Sequence, residues 1–416
     1  VLLYKWELSS FVEIFFDVQF VRLQPQFNGV KIMAEMTPRQ RVFAAINHQE
    51  TDRVPVALGG GPYGIVDDLY LRLLQHFGLG APVKPFRAGH NISFMDDRLF
   101  ERLEIDTRYV WPGDSPSSPA EATEDPDLFL DGYGQPWRRA LPYYYAVNGI
   151  LAETSIDQID EIVTWPEAAD PRWSTGVQER AQTLKENTDC FIVARMVTSH
   201  GPYMTACNLR GTEQFLLDMA LYPDYAEALL TRVTDSIDRL LFAYLQACGD
   251  TIDMMELPGD DYASNLNLVI SPKMFRQFIK PCLKRLVTTI KEYRSEIKVM
   301  LHSDGMIAKL IPDFIDLGID VLHPLEPVVA QDQAKVKQEY GDQLAFLGSI
   351  DISHALPGSQ EEVIAEVKKR IGILAPGGGY ILAPSNHLQA DVPPENVVTL
   401  FNAAREYGEY PIRNTA

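Results

Sequence analysis

The sequence predicts an α/β fold, a single (β/α)8 barrel, and three observations carry that prediction. Short, almost wholly apolar runs such as Val299-Met300-Leu301, Val321-Leu322, Ala345-Phe346-Leu347 and Tyr380-Ile381-Leu382 read as parallel strands covered on both faces. Segments of helical periodicity, such as Met306 to Leu317 and Glu361 to Ile373, lie between them. Each run then stops at polar residues: His302-Ser303-Asp304-Gly305, Leu325-Glu326, Ile350-Asp351 and Asn386-His387. The carboxyl ends of barrel strands are where this fold keeps its chemistry.

Taken in order, Thr37 is an N-cap and Pro38 a first helical residue, predicting a helix to about His48. Thr51 to Leu58 reads as the first strand. Gly59-Gly60-Gly61-Pro62-Tyr63-Gly64 follows as a tight turn, since it lacks the spacing and the lysine of a phosphate loop. A helix over residues 65 to 80 ends at Gly78 and Gly80. Another from Asp96 to about Leu103 leads into a strand at Thr107 to Trp111. Pro112 to Asp131, dense in Pro, Ser, Asp and Glu, is expected to be an irregular excursion. The aromatic stretch Gly132 to Tyr145 is expected to form a small hairpin, either roofing a pocket or making a mini-core under a loop. Cys190 to Met196 is the next strand, and the loop Thr198 to Tyr203 follows it. Helices are expected at Gly211 to Leu221 and Pro223 to Gln246. A strand at Thr251 to Glu256 and a long helix from Ser271-Pro272 to about Tyr293 come next. With the four units already described, strands fall near residues 54, 108, 192, 253, 299, 322, 346 and 382. Eight strands need one barrel, over residues 36–416, and no second domain.

Composition narrows the function classes. With 37 basic and 57 acidic residues the net charge is −20, which repels nucleic acid. A polyanionic small substrate would need a local arginine cluster. No span is apolar and uncharged over the roughly 18 residues that a membrane helix requires. Four cysteines, without C-x-x-C spacing, read as buried thiols in a reducing, cytoplasmic setting. Residues 1–35 read as an N-terminal extension: apolar but charge-interrupted, with Met33 near its end and Met36 just after it, ahead of the helix start.

The strand ends gather Tyr63, Arg195, His200, Tyr203, Glu256, Asp260, Asp261, His302, Asp304, Glu326, Asp351, Asn386 and His387 at the mouth. Two chemistries suit this set. Glu256, His302 and His387 with Asp304 would make a nitrogen-and-oxygen metal site of the kind zinc occupies. Alternatively, the carboxylates and imidazoles would act as general acids and bases without a metal. His302 stands out, because it ends an apolar strand with Asp304 two residues on. His323 and His354 have no carboxylate at useful spacing and read as structural hydrogen-bonding residues.

Several ordered motifs also resemble the uroporphyrinogen decarboxylase superfamily. They are Met36-Thr37-Pro38-Arg39-Gln40-Arg41-Val42, Asp52-Arg53-Val54-Pro55-Val56, Gly259-Asp260-Asp261-Tyr262, Ser271-Pro272-Lys273-Met274-Phe275, His302-Ser303-Asp304-Gly305 and Pro393-Pro394-Glu395-Asn396. The resemblance implies a (β/α)8 barrel and one of two activities. One is cofactor-free decarboxylation of uroporphyrinogen, in porphyrin biosynthesis. The other is methyl transfer to or from a corrinoid protein, commonly with zinc. The decarboxylases carry an arginine-rich loop after the first strand; here that loop is Gly59-Gly60-Gly61-Pro62-Tyr63-Gly64, with Arg87 on a different loop. The coenzyme M methyltransferases carry a His-x-Cys motif that matches at His302, but their cysteines fall at Asp304 and about Asn386. The resemblance therefore favours a methyltransferase in which His302, Glu256 and Asp304 bind zinc and a corrinoid arrives on a partner protein. The harder ligand set suits an ether or amine donor better than a thiol. Tyr63, Arg195, His200, Tyr203, Asn386 and His387 are the expected substrate contacts. In the decarboxylase alternative, Asp261 and Asp304 serve as proton donor and pyrrole anchor.

Overall fold

The computed structural model describes residues 35–83, 91–113, 119–140, 143–170 and 173–412. The extension expected at residues 1–35 falls, up to residue 34, outside them, as does Arg87. Seven parallel strands form one sheet in sequence order: β1 (Thr107–Val110), β6 (Phe191–Ala194), β7 (Met254–Glu256), β8 (Lys298–His302), β9 (Val321–His323), β10 (Ala345–Ile350) and β11 (Tyr380–Pro384). Between β1 and β6 the chain makes a separate antiparallel sheet of β2 (Pro119–Ala122), β3 (Leu128–Asp131), β4 (Pro136–Ala140) and β5 (Tyr143–Ala146).

The strand expected near residue 54 is present only as an isolated parallel bridge, Val56 to Leu382. Its bonding explains why. Leu382 N–H donates to Pro55 O and Ala57 N–H to Leu382 O on one side, while Asp106 N–H donates to Val56 O on the other. Pro55 has no N–H to give, and the Val56 N–H goes instead to the Asp106 carboxylate at 2.8 Å. That carboxylate also accepts from Arg41 at 2.6 Å and Arg53 at 2.8 Å. Residues 54–58 thus join β11 to the start of β1, with a buried ion-pair cluster where ladder bonds would be.

Most expected helices form. Thr37 caps Pro38–Ile46 with a reciprocal bond to Gln40, and Ser359 caps Gln360–Leu374 in the same way with Glu362. The helix begun at Ser271 passes through a π-helical turn, Phe275–Ile279, before Lys280–Tyr293. That turn precedes Pro281, which lacks the N–H a regular α-helix would use there. Two corrections concern local structure. The excursion at Pro112 to Asp131 contains β2 and β3, so the aromatic hairpin is half of a four-stranded meander. Pro202–Arg210 is a helix where only a loop was expected as far as Tyr203; it is buried on most sides and has no amphipathic signature.

Candidate active site

The site begins where β8 ends. His302 is nearly buried, and its Nδ1 lies 2.9 Å from His323 Nδ1 at the end of β9. The far nitrogen of His323, Nε2, sits 3.2 Å from the Pro384 carbonyl at the end of β11. A carbonyl only accepts, so His323 Nε2 carries the proton. Burial holds the His323 imidazole well below its ordinary range, hence neutral, and its Nδ1 is then an acceptor. His302 Nδ1 must donate to it, which leaves Nε2 as the His302 nitrogen that faces outward.

That nitrogen faces two acids. His302 Nε2 is 3.9 Å from Asp261 Oδ1 and 3.9 Å from Asp304 Oδ2, too far for hydrogen bonds. The acids are held there by the chain. Asp304 N–H donates to Asp261 Oδ1 at 3.0 Å, and Asn386 Nδ2 donates to Asp304 Oδ2 at 2.6 Å. The other Asp304 oxygen, Oδ1, is buried with no hydrogen-bond partner. Burial pushes the Asp304 carboxyl up to about 6; His302 opposes the rise, while Asp261 and Glu326 add to it. The turn after it depends on Gly305, at φ +84°, where a Cβ would lie 2.7 Å from Ser264 O. The Gly305 N–H is taken by Glu326 Oε2 at 2.7 Å. Asp261, His302 and Asp304 each bring one donor atom within 4.8 Å of the others, a spacing at which they could hold a metal ion.

The structure divides the sequence-expected residues into four places. Asp261, His302, Asp304 and Asn386 form the cluster just described. Glu256 does not join it, which corrects the ligand set expected from sequence. Its fully buried carboxylate accepts from Gly61 N–H at 2.8 Å, and burial raises it against the opposing charge of Arg195. The Arg195 guanidinium, lowered by burial and supported first by Glu256, donates to Gly61 O at 3.4 Å. Tyr63 is wholly buried beside this pair, its ring 4.9 Å from that of His323. Tyr203 is buried on the helix Pro202–Arg210 against Phe215 and Tyr262, so it faces the core.

Arg195, His200 and His387 instead line a cleft of about 250 Å³ with Gly61, Met196 and Phe94. The His387 Nδ1 accepts from Gly64 N–H at 3.0 Å, which places His387 against the glycine turn rather than with the donor cluster. His200 lies under Trp137 of β4, the rings nearly parallel at 9° with centroids 5.8 Å apart. Tyr143 of β5 reaches Gln389, beyond His387, so the antiparallel sheet meets both sides of the mouth. Asp260, adjacent to Asp261, turns inward. It accepts from Tyr203 N–H, Met204 N–H and Tyr262 OH, and burial pushes it up to about 7. Asp351 is not in the cluster but bonds His354 at 3.1 Å, so His354 does have a carboxylate partner. His323 was expected to be structural, and no sequence spacing shows that it holds the tautomer of His302. All four cysteines are buried and unpaired. No helix among the described residues is long and apolar enough to cross a membrane.

Comparison with known proteins adds the following. The family model described as uroporphyrinogen decarboxylase (URO-D) matches residues 156–407. A methylcobamide:CoM methyltransferase, MtaA of Methanosarcina barkeri, is 27% identical over 276 residues, covering 66% of this chain and 72% of that protein. The chloroplastic uroporphyrinogen decarboxylase 2 of Oryza sativa subsp. japonica is 28% identical over 146 residues, 35% of each chain. Among solved structures, a methyltransferase from Methanosarcina mazei superposes with a TM-score of 0.64 at 21% identity, covering 90% of this chain and 99% of its own. At that identity the likeness concerns the fold.

Proposed function

Since the chain belongs to the uroporphyrinogen decarboxylase (URO-D) family, we propose that it is a methyltransferase, moving a methyl group between a small-molecule donor and a corrinoid carried by a partner protein. The observation that carries this reading is His302 Nε2 set between two carboxylates, one with an unpartnered buried oxygen. A cation bound there would offset the repulsion between the two carboxylates and give the orphaned oxygen a partner. A cofactor-free decarboxylase has no use for a metal site, and it needs arginines to clamp its many carboxylates. The charge of Arg195, which lines the cleft, is already opposed by Glu256. Similarity to the methylcobamide:CoM methyltransferase also runs over 276 residues, against 146 for the rice decarboxylase.

The nitrogen-and-oxygen donor set fits zinc, held by Asp261, His302 and Asp304. Bound there, zinc supplies a Lewis acid that draws electron density from the donor's leaving atom. The protein's part is orientation. His323 and the Pro384 carbonyl fix the proton of His302, Asn386 turns Asp304, and the Asp304 backbone turns Asp261. With no thiolate in the set, a methyl ether or amine suits the site better than a thiol. Buried, unpaired cysteines suit a reducing cytoplasm.

Elemental analysis of purified protein beside His302→Ala tests the reading. About one zinc per chain in the wild type, lost in the variant, is the expected result. Metal in neither overturns it and points to the decarboxylase reading, which the raised Asp304 carboxyl would serve as an acid. Anaerobic turnover of uroporphyrinogen is then the decisive assay.

A further inference from the structure

The cleft lined by Arg195, His200 and His387 narrows the substrate class, and this inference rests on the methyltransferase reading. Its charges are spent: Arg195 faces Glu256, and burial lowers the His200 imidazole so that it stays neutral. The Thr198 hydroxyl donates to the His200 carbonyl at 2.8 Å. A polycarboxylate would therefore enter without a free counter-charge, at a cost in desolvation.

Size leaves room for more than the smallest donors. About 250 Å³ is several times what methanol or methylamine fills, whereas a cavity of roughly 150 Å³ accepts a benzene ring. The remainder suits one or two methoxy groups. Shape then selects among larger molecules. His200 is held flat by Trp137 on one face while lining the cleft, and Met196 and Phe94 are further apolar lining. A ring backed in this way presents a planar wall on which another flat ring stacks. Trp137 itself is fixed by its Nε1–H donating to Asp131 Oδ2 at 2.8 Å, so the wall is rigid.

We propose that the cleft takes a neutral aromatic methyl ether, its ring stacked on His200 and its methoxy group turned toward the Asp261–His302–Asp304 cluster. Calorimetric titration of the full-length protein with 1,2-dimethoxybenzene, methanol and trimethylammonium, without any corrinoid protein, tests this apart from turnover. The aromatic ether should bind at least about tenfold more tightly than either small donor. His200→Ala should weaken it about 3- to 10-fold, the range of one lost ring stack, while His200→Phe restores it. Thermal melts of both variants confirm that the fold is kept. Equal binding of all three probes, or a His200→Ala variant that melts like wild type and binds the ether unchanged, overturns the assignment. Selective ether binding without methyl release to a corrinoid supports the cleft assignment and counts against the methyltransferase reading. Turnover of trimethylammonium without ether binding does the reverse.

Discussion

Replacing His323 with phenylalanine tests the central geometric argument. His323 touches none of the three donor atoms; it acts through His302, 2.9 Å away, and is itself set by the Pro384 carbonyl. Phenylalanine keeps the ring that packs 4.9 Å from Tyr63 but removes the acceptor for the His302 Nδ1 proton. His302 is then free to carry its proton on Nε2, where it faces Asp261 and Asp304 and occupies the position a cation would take. Loss of such an orienting partner weakens metal affinity about 10- to 100-fold, or about 1.4–2.8 kcal/mol. The Pro384 carbonyl also loses a buried donor, which costs about 1–3 kcal/mol of folding stability. The assay is zinc affinity by chelator competition, read beside a urea melt. A variant that is less stable yet binds zinc like wild type would refute the tautomer argument, because the two effects arise at opposite ends of the His323 ring. His323→Gln, which can still accept from His302, should recover part of the affinity.

Other substitutions probe the supports of the site. Asp260 has a folded value of about 7, above its unfolded value, so the folded state holds the extra proton and stability falls as pH rises toward 7, then levels off. Asp260→Asn should flatten that slope in urea melts between about pH 5 and 7.5. Arg195→Leu leaves the Glu256 carboxylate buried and unopposed and should cost about 3–5 kcal/mol, while Arg195→Leu with Glu256→Gln should cost clearly less than the two separate changes added. Gly60→Ala should destabilise by about 1–3 kcal/mol in the same melts, since its Cβ would overlap the Tyr63 ring and the Glu256 carboxylate.

The strands of the parallel sheet were legible because a strand buried on both faces is almost wholly apolar; β8 and β11 form around the runs expected near residues 299 and 382. The first strand failed for a reason that is also physical. Its hydrogen bonds are shared with the Asp106 side chain, and nothing in Val54-Pro55-Val56 shows that a carboxylate fifty residues on will take an N–H. Direction was the other blind spot. Asp260 and Asp261 are neighbours, and sequence treats them alike, yet one caps a buried helix and the other faces His302. Glu256 ends β7 as His302 ends β8, but it turns to the glycine turn and Arg195. Sequence shows which residues lie at the strand ends; which way each carboxylate turns depends on backbone N–H groups supplied by loops far along the chain.

This dependence makes the cluster a strained arrangement that the fold maintains. Burial, with Asp261 and Glu326 nearby, raises the cost of charging Asp304, which keeps one oxygen without a partner. In a chain of net charge −20 the surrounding field does nothing to relieve that cost. A protein selected for stability alone would lose little by replacing Asp304 with asparagine, which keeps the shape and removes a buried charge. The fold instead commits Asn386, the Asp304 backbone N–H, Gly305 and the His323–Pro384 pairing to holding the charge in place. Arrangements that cost stability and are fixed by several independent elements serve a ligand. A cation held between Asp261, His302 and Asp304 would be such a ligand.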